Sequence, residues 1–259
     1  MSNAPRILTL DIETAPIEAY TWGLWDQNLG LEQVKTDWSI LAYGAKWLGN
    51  KEVIYADTGG QGKRMVRKDA KLLKTLWNLL DATDIVVAQN GARFDLPKIN
   101  ARLIANNYLP YSPVRVIDTL KVSRKHFGFT SNKLAWTAKY TTEEAKSEHK
   151  KFPGFSLWKE CLEDNPEAWA EMKKYNIQDV VATEALYLKQ RPWISNHPNR
   201  GVYTETPSCP ACGGSSLQQR GFAVTQGGKY ARMQCTDCGK WSKNKENLIP
   251  LEVRKTLKV

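Results

Sequence analysis

Four acidic residues in three separate sequence contexts have the chemistry to bind divalent metal ions together. Two of them occur in Leu-Asp11-Ile-Glu13, the third in Phe-Asp95 and the fourth in Tyr175-Asn-Ile-Gln-Asp179. Clustered carboxylates repel one another unless cations neutralise them, and hard oxygen ligands suit Mg²⁺ or Mn²⁺ rather than Zn²⁺. The four acids therefore predict a metal-dependent site for phosphoryl transfer.

The sequence around these acids predicts the elements that would position them. Asp11 and Glu13 are two residues apart at the end of an apolar run, so both side chains would point to one side of a β-strand. Tyr175 and Asp179 are four residues apart, so they would share one face of a helix. Asp95 would open another helix, with a proline in the first turn where its missing amide hydrogen costs little.

Three motifs in this order resemble those of the DnaQ-like 3′–5′ exonucleases of the DEDD superfamily. They are Asp11-x-Glu13, Asn90-Gly-x-x-Phe94-Asp95 and Tyr175-x-x-x-Asp179. The tyrosine is typical of the DEDDy subgroup, because the histidine of the other subgroup, five residues before the last aspartate, is Lys174 here. Segments around residues 117–121, 126–134 and 154–158 resemble exonucleases encoded by bacteriophages.

The resemblance implies a two-metal-ion mechanism and a role for each residue. Asp11 would bridge two ions, and Glu13 and Asp179 would complete the ligands of the tighter one. Asp95 would act mainly through water on the second ion. Tyr175 would orient the attacking water, because an unperturbed phenol has a pKa of about 10 and is a poor base at neutral pH.

Each motif by itself has an ordinary structural explanation. An acidic pair at a strand end is usually a solvated edge, and a Tyr-x-x-x-Asp spacing is usually a surface contact on a helix. The occurrence of all three motifs in order, each on a suitable element, favours the metal site.

The apolar pattern of the rest of the chain predicts an α/β fold. The predicted strands cover residues 6–13, 39–47, 51–57, 84–89 and 114–119, the second and third joined by a hairpin. The predicted helices lie around residues 72–80, 131–140 and 166–190, besides the one that starts at Asp95. This order agrees with the ribonuclease H-like mixed sheet flanked by helices that the resemblance implies.

Charge and composition favour a nucleic acid as the partner. Lys and Arg number 37 against 27 Asp and Glu, a net charge of +10 that attracts a polyanion. The sequence contains neither an apolar stretch long enough for a membrane span nor a signal peptide, which predicts a cytoplasmic protein, in the host cytoplasm if a phage encodes it.

Several further residues have structural explanations. Asp118 is expected to cap the following segment rather than to bind metal. Phe94 is expected to pack in the core, and a wedge against a terminal base is the alternative. His126, His149 and His197 are scattered and are expected to be surface or structural residues. The basic stretch of residues 146–151 is usually a solvated loop, although a contact with a substrate backbone is the alternative.

A second module follows the main domain, and we expect residues 1–194 and 195–259 to form the two domains. Cys209-Pro-Ala-Cys212 and Cys235-Thr-Asp-Cys238 are two knuckles, each followed by a glycine that allows a tight turn. This pattern predicts a zinc ribbon with one structural Zn²⁺, with disulfides or a rubredoxin-like iron centre as the alternatives. The fifth cysteine, Cys161, is expected to be a buried thiol.

The ribbon intersperses cations with aromatic residues, as a surface for single-stranded nucleic acid would. They are Arg220, Phe222, Lys229, Tyr230, Arg232, Lys240, Trp241, Lys243 and Lys245. A miniature core made of the aromatic residues is the alternative interpretation.

Together these patterns predict a metal-dependent 3′–5′ exonuclease that acts on single-stranded DNA with a free 3′ end, with replication or repair proteins as further partners. An exoribonuclease and a catalytically inactive nucleic-acid-binding accessory protein are the alternative functions.

Overall fold

A computed structural model describes residues 4–144, 149 and 151–258, and these residues form ten strands and seven α-helices. The strands are β1 (Ile7–Thr14), β2 (Glu18–Ala19), β3 (Val34–Thr36), β4 (Ile40–Trp47), β5 (Ile54–Asp57), β6 (Ile85–Ala88), β7 (Arg115–Asp118), β8 (Leu217–Thr225), β9 (Gly228–Cys235) and β10 (Trp241–Lys243). The helices are α1 (Ala70–Asp81), α2 (Asp95–Ala105), α3 (Thr119–His126), α4 (Leu134–Thr141), α5 (Ser156–Leu162), α6 (Pro166–Gln190) and α7 (Leu251–Thr256).

The largest sheet has the strand order β5-β4-β1-β6-β7. The strands β5, β4 and β1 pair antiparallel, whereas β1, β6 and β7 pair parallel. Strand β1 is therefore central, and its first four residues, Ile7 to Leu10, are buried. A buried central strand without a free edge is a rigid support for side chains at its end.

The two faces of β1 contact different helices. Leu8, Leu10 and Ile12 lie in one apolar cluster with residues of α1 and α2, such as Leu73 and Ile99. Because side chains alternate along a strand, Asp11 and Glu13 point to the opposite face, where α5 and α6 pack. The predicted common orientation of these two acids thus follows from the burial of their apolar neighbours.

Predicted and observed elements agree in type and order for the five strands of this sheet. Helix α6 has the predicted bounds, Pro166–Gln190, and α2 begins at Asp95 as predicted. The short strands β2 and β3 and the helix α3 were not predicted. Of the basic stretch 146–151, only His149 and Lys151 fall within the described residues.

The chain divides into two compact units, Arg6–Tyr187 and Leu188–Val259 with Met1–Pro5. The second unit contains an antiparallel sheet of three strands in the order β10-β9-β8. In the part of the chain that the structure describes, no helix has both the length and the apolar character required to cross a membrane.

Candidate active site and thiol cluster

Three of the four predicted acidic ligands come together at the end of β1. Carboxylate oxygens of Asp11, Glu13 and Asp179 all lie within 4.8 Å of one another. Asp11 and Glu13 belong to β1, whereas Asp179 belongs to α6, whose Asn176 is 165 positions from Asp11 along the chain. Three carboxylates at such separations form an oxygen donor set that fits Mg²⁺ or Mn²⁺.

Asn176 holds Asp11 in place. Its Nδ2 donates to Asp11 Oδ2 at 2.7 Å, and its side chain is fully buried. The close approach of α6 depends on Gly44, which pairs with Asp11 across the β1–β4 ladder. A Cβ atom on Gly44 would lie 2.5 Å from Asn176 Oδ1 and 2.8 Å from Val180 Cγ2. The glycine therefore allows α6 to bring Asp179 to the end of β1.

Glu13 has a donor on another helix. Trp158 Nε1, in α5, donates to Glu13 Oε2 at 3.2 Å. The register of the β1–β4 ladder also shifts between Glu13 and Thr14, and such irregularities re-aim side chains at strand ends. The indole and the register shift together determine where the Glu13 carboxylate lies.

Tyr175 lies in an aromatic group beside the carboxylates. Its ring makes edge contacts with His149 and Trp158, at centroid distances of 5.1 and 6.0 Å. His149 Nδ1 is 2.7 Å from the carbonyl oxygen of Phe152, to which the Nδ1–H tautomer donates. This hydrogen bond orients the His149 ring against Tyr175, which is a structural role, as expected from the sequence.

Asp95 lies at the same cavity but outside the group of three. Its Oδ1 accepts a hydrogen bond from the Ile12 amide at 3.0 Å, and the side chain is buried. Burial raises the pKa of the Asp95 carboxyl above its ordinary value, the Ile12 amide lowers it, and nearby Asp118 raises it again. A divalent cation in the cavity would favour the ionised form.

Asp118 is the N-cap of α3, as expected, and it also fixes the loop before Asp95. Its Oδ1 accepts from Leu120 and from Asn90, and its Oδ2 accepts from Ala92. Asn90 has a positive φ of 63°, which asparagine tolerates better than most residues. One carboxylate therefore joins two loops and determines where α2, and with it Asp95, begins.

All five predicted residues, Asp11, Glu13, Asp95, Tyr175 and Asp179, line one cavity of about 660 Å³. Its wall continues past Phe94 to two cations, Arg124 and Lys133.

Phe94 is 38% exposed, so the expectation that it packs in the core was wrong. Its place at the start of α2 turns it to the opening instead, with Lys98 Nζ 5.3 Å from its ring centroid.

Residues 48–190 match the RNase H superfamily, and this match covers more than half of the chain. The chain belongs to the RNase H superfamily. The matched region contains Asp95, Tyr175 and Asp179 but begins after β1. The expected mixed sheet flanked by helices is thereby confirmed, and membership supports a nucleic-acid-hydrolysing enzyme that uses divalent metals.

A solved structure similar to this RNase H superfamily member is the family B DNA polymerase from the hyperthermophilic archaeon Pyrobaculum calidifontis. The TM-score is 0.54 at 18% identity, with 73% of this chain and 25% of the polymerase covered. The chain thus spans about a quarter of that polymerase, and the likeness concerns the fold. No curated protein matches the sequence.

The four cysteines of the predicted knuckles form a separate cluster in the second unit of this superfamily member. Their sulfur atoms all lie within 4.8 Å of one another. Cys209 Sγ is 3.6 Å from Cys238 Sγ, and Cys212 Sγ is 3.7 Å from Cys235 Sγ. A disulfide requires about 2.05 Å, whereas tetrahedral thiolates at about 2.3 Å from zinc are separated by roughly 3.8 Å. The observed distances fit a zinc site.

The surroundings of the thiols also fit a metal site. Gly213 and Gly239, after the second cysteine of each knuckle, have φ values of 79° and 80°, as the predicted tight turns require. Burial raises the pKa of Cys238, and the neighbouring thiols add to this effect, so a cation is needed to hold the thiolate form. Cys161 is buried in α5, as expected.

Proposed function

We propose that this chain is a metal-dependent 3′–5′ exonuclease of the DEDDy type that hydrolyses single-stranded DNA. The observation that supports it most is the meeting of Asp11, Glu13 and Asp179 in a cavity that Asp95 and Tyr175 also line. We propose residues 1–194 as the nuclease domain and residues 195–259 as a linker with the zinc ribbon.

Asp11, Glu13 and Asp179 would hold the catalytic cations of this proposed mechanism. Two divalent ions at such a site supply an activated water and neutralise the charge that develops on the phosphate. Asp95, which lines the same cavity, would contribute to holding the cations through water. Asn176 and Trp158 keep the carboxylates of Asp11 and Glu13 oriented, so that the site does not have to reorganise during the reaction.

Tyr175 has a positioning role in this proposal. It precedes Asp179 by one helical turn, so its hydroxyl and the carboxylates reach the same cavity. We propose that the hydroxyl orients the attacking water toward the last phosphodiester bond. Arg124 and Lys133, farther along the cavity, are placed to attract the phosphates of the strand.

Digestion of 5′-labelled oligonucleotides with Mg²⁺ tests this function. We expect a ladder of products shortened from the 3′ end, and a 3′-terminal phosphate should slow the reaction greatly. Asp179→Asn should abolish cleavage, whereas Glu171→Gln, on the same helix outside the cavity, should retain it. Tyr175→Phe should lower kcat by about 10²- to 10⁴-fold, the range for a positioned proton-transfer group.

The alternative outcomes separate the candidate functions. Cleavage of a circular strand would show an endonuclease, and faster digestion of an RNA of the same sequence would show an exoribonuclease. Equal rates for the wild type and Asp179→Asn would contradict the assignment of the metal ligands. An absence of cleavage on every substrate would support the inactive accessory protein.

A further inference from the structure

The aromatic residues of the ribbon do not form a miniature core. Trp241 is 46% exposed and Phe222 is 44% exposed, and Tyr230 is half-buried. The buried residues of the three-stranded sheet, Gly228, Ala231 and Cys235, are instead small or metal-binding. The rings therefore remain at the surface, where they can contact another molecule.

The strand register divides the cations and rings between the two faces of the small sheet. Tyr230 and Arg232 alternate along β9 and share one face. Lys243 pairs with Arg232, and Trp241 pairs with Gln234, so both side chains from β10 lie on that same face. We name these four residues, Tyr230, Arg232, Trp241 and Lys243, the basic-aromatic face.

Within the basic-aromatic face, each ring contacts a cation from the neighbouring strand. Arg232 Cζ is 5.2 Å from the Trp241 ring centroid, and Lys243 Nζ is 4.2 Å from that of Tyr230. Arg232 Nε also donates to the carbonyl oxygen of Arg220 at 3.0 Å, in an exposed hydrogen bond. Trp241 pairs with Gln234, four residues from Tyr230, so the backbone positions of the two aromatic residues are roughly 14 Å apart along the strand direction, at about 3.4 Å a residue.

The charges of the three strands specify the kind of partner. The strands β8, β9 and β10 contain Arg220, Lys229, Arg232 and Lys243 and no aspartate or glutamate. Such a surface complements a polyanion, and exposed rings between the cations suit the flat faces of bases. A duplex keeps those base faces stacked inside, so only an unpaired strand offers phosphates and bases to the same surface.

We propose that the basic-aromatic face binds single-stranded nucleic acid, with bases stacked on Tyr230 and Trp241 and phosphates on Arg232 and Lys243. A cation–π contact at an exposed site is weaker than a base stacked on an aromatic ring, so an incoming base displaces the cation from the ring. The released cation then pairs with the adjacent phosphate. This inference rests on the proposed function, because it specifies how the substrate of the nuclease is bound.

Fluorescence anisotropy of labelled oligo(dT), in the inactive Asp179→Asn background, tests the proposal without turnover. Tyr230→Ala with Trp241→Ala should weaken binding about 30-fold or more, through the loss of two stacked bases. Arg232→Gln with Lys243→Gln should lower the slope of log K against log salt by about 1.4, for two phosphate contacts on a single strand.

The opposite face of the same sheet supplies a matched control. Phe222 pairs with Ala231, and Lys229 Nζ is 4.1 Å from the Phe222 ring, so this face has an equivalent pair. Phe222→Ala with Lys229→Gln should bind oligo(dT) within about two-fold of the parent. One zinc per chain in each variant would show that the ribbon remains folded.

Three results would overturn the proposal. They are parental affinity and salt slope in the variants of the basic-aromatic face, an equal loss in the control variant, and equal binding of duplex and single strand by the parent. Because anisotropy measures binding alone, these results are independent of whether the wild-type chain cleaves DNA. Failure of the proposed nuclease function would appear instead in the digestion assay.

Discussion

At the scale of single residues, the site depends on neutral side chains as much as on its acids. Asn176 donates to Asp11 and Trp158 donates to Glu13, across 165 and 145 residues of sequence. The acids were predictable because charge, spacing and an apolar strand identify them together. Their donors were not, because a hydrogen bond between distant segments leaves no periodic pattern in the sequence.

Trp158→Phe should weaken metal binding while preserving the fold. The phenyl ring keeps most of the packing against Tyr175 but loses the indole N–H that orients Glu13. Loss of such an outer hydrogen bond typically costs about 10- to 100-fold in metal affinity. Titration with Mn²⁺, followed by electron paramagnetic resonance, measures this affinity directly.

Trp77→Phe is the matched control for this prediction. Trp77 Nε1 donates to the carbonyl oxygen of Leu109, away from the cavity, so Mn²⁺ affinity should stay at the wild-type value. Equal Mn²⁺ affinities for Trp158→Phe and the wild type would show that Glu13 needs no support from the indole.

At the scale of elements, the contact of α6 with the sheet assembles the site. Helix α6 carries Tyr175, Asn176 and Asp179, and its approach to β4 requires the absence of a side chain at Gly44. The type and order of the main strands and of α6 were predictable from apolar periodicity. The close packing was not predicted, although an isolated glycine within an apolar strand is a recognised sign of close backbone approach.

Gly44→Ala should impair both stability and catalysis. The added methyl group would overlap Asn176 and Val180, and such overpacking costs about 1 to 3 kcal/mol in the free energy of unfolding. A displaced α6 would also separate Asp179 from Asp11, so kcat should fall by more than the loss of folded protein explains. Urea denaturation and single-turnover digestion measure the two effects.

Gly128→Ala serves as the comparison, because a Cβ atom there meets no atom within 4 Å. We expect unchanged or slightly higher stability, since alanine restricts the unfolded chain. If Gly44→Ala behaved like Gly128→Ala in both assays, the packing of α6 would tolerate a side chain at position 44.

At the scale of the whole molecule, two groups of ligands with different chemistry occur in separate units. The carboxylates of Asp11, Glu13 and Asp179 belong to Arg6–Tyr187, and the four thiols belong to Leu188–Val259. The knuckle spacing made the thiol cluster predictable, because each pair of cysteines with its glycine forms a local turn. The face of the small sheet that carries the rings depends on strand register, which the sequence does not specify.

Purified protein should release one zinc per chain when its thiols are modified by a mercurial reagent. The release can be followed with a chromogenic zinc chelator. Cys161→Ser should give the same result, because burial raises the pKa of that thiol to about 12 and it lies outside the cluster. Cys212→Ser should hold less zinc, and stoichiometric zinc in that variant would contradict the four-thiolate site.

The sulfur distances of the thiol cluster also determine how the purified protein should be handled. Once the metal is removed, Cys209 and Cys238, at 3.6 Å, need only a small movement to form a disulfide, and Cys212 with Cys235 can follow. We therefore expect storage in strong chelator without reductant to oxidise the ribbon. Later addition of zinc alone would not restore such a sample, even where Mg²⁺ restores the carboxylate site.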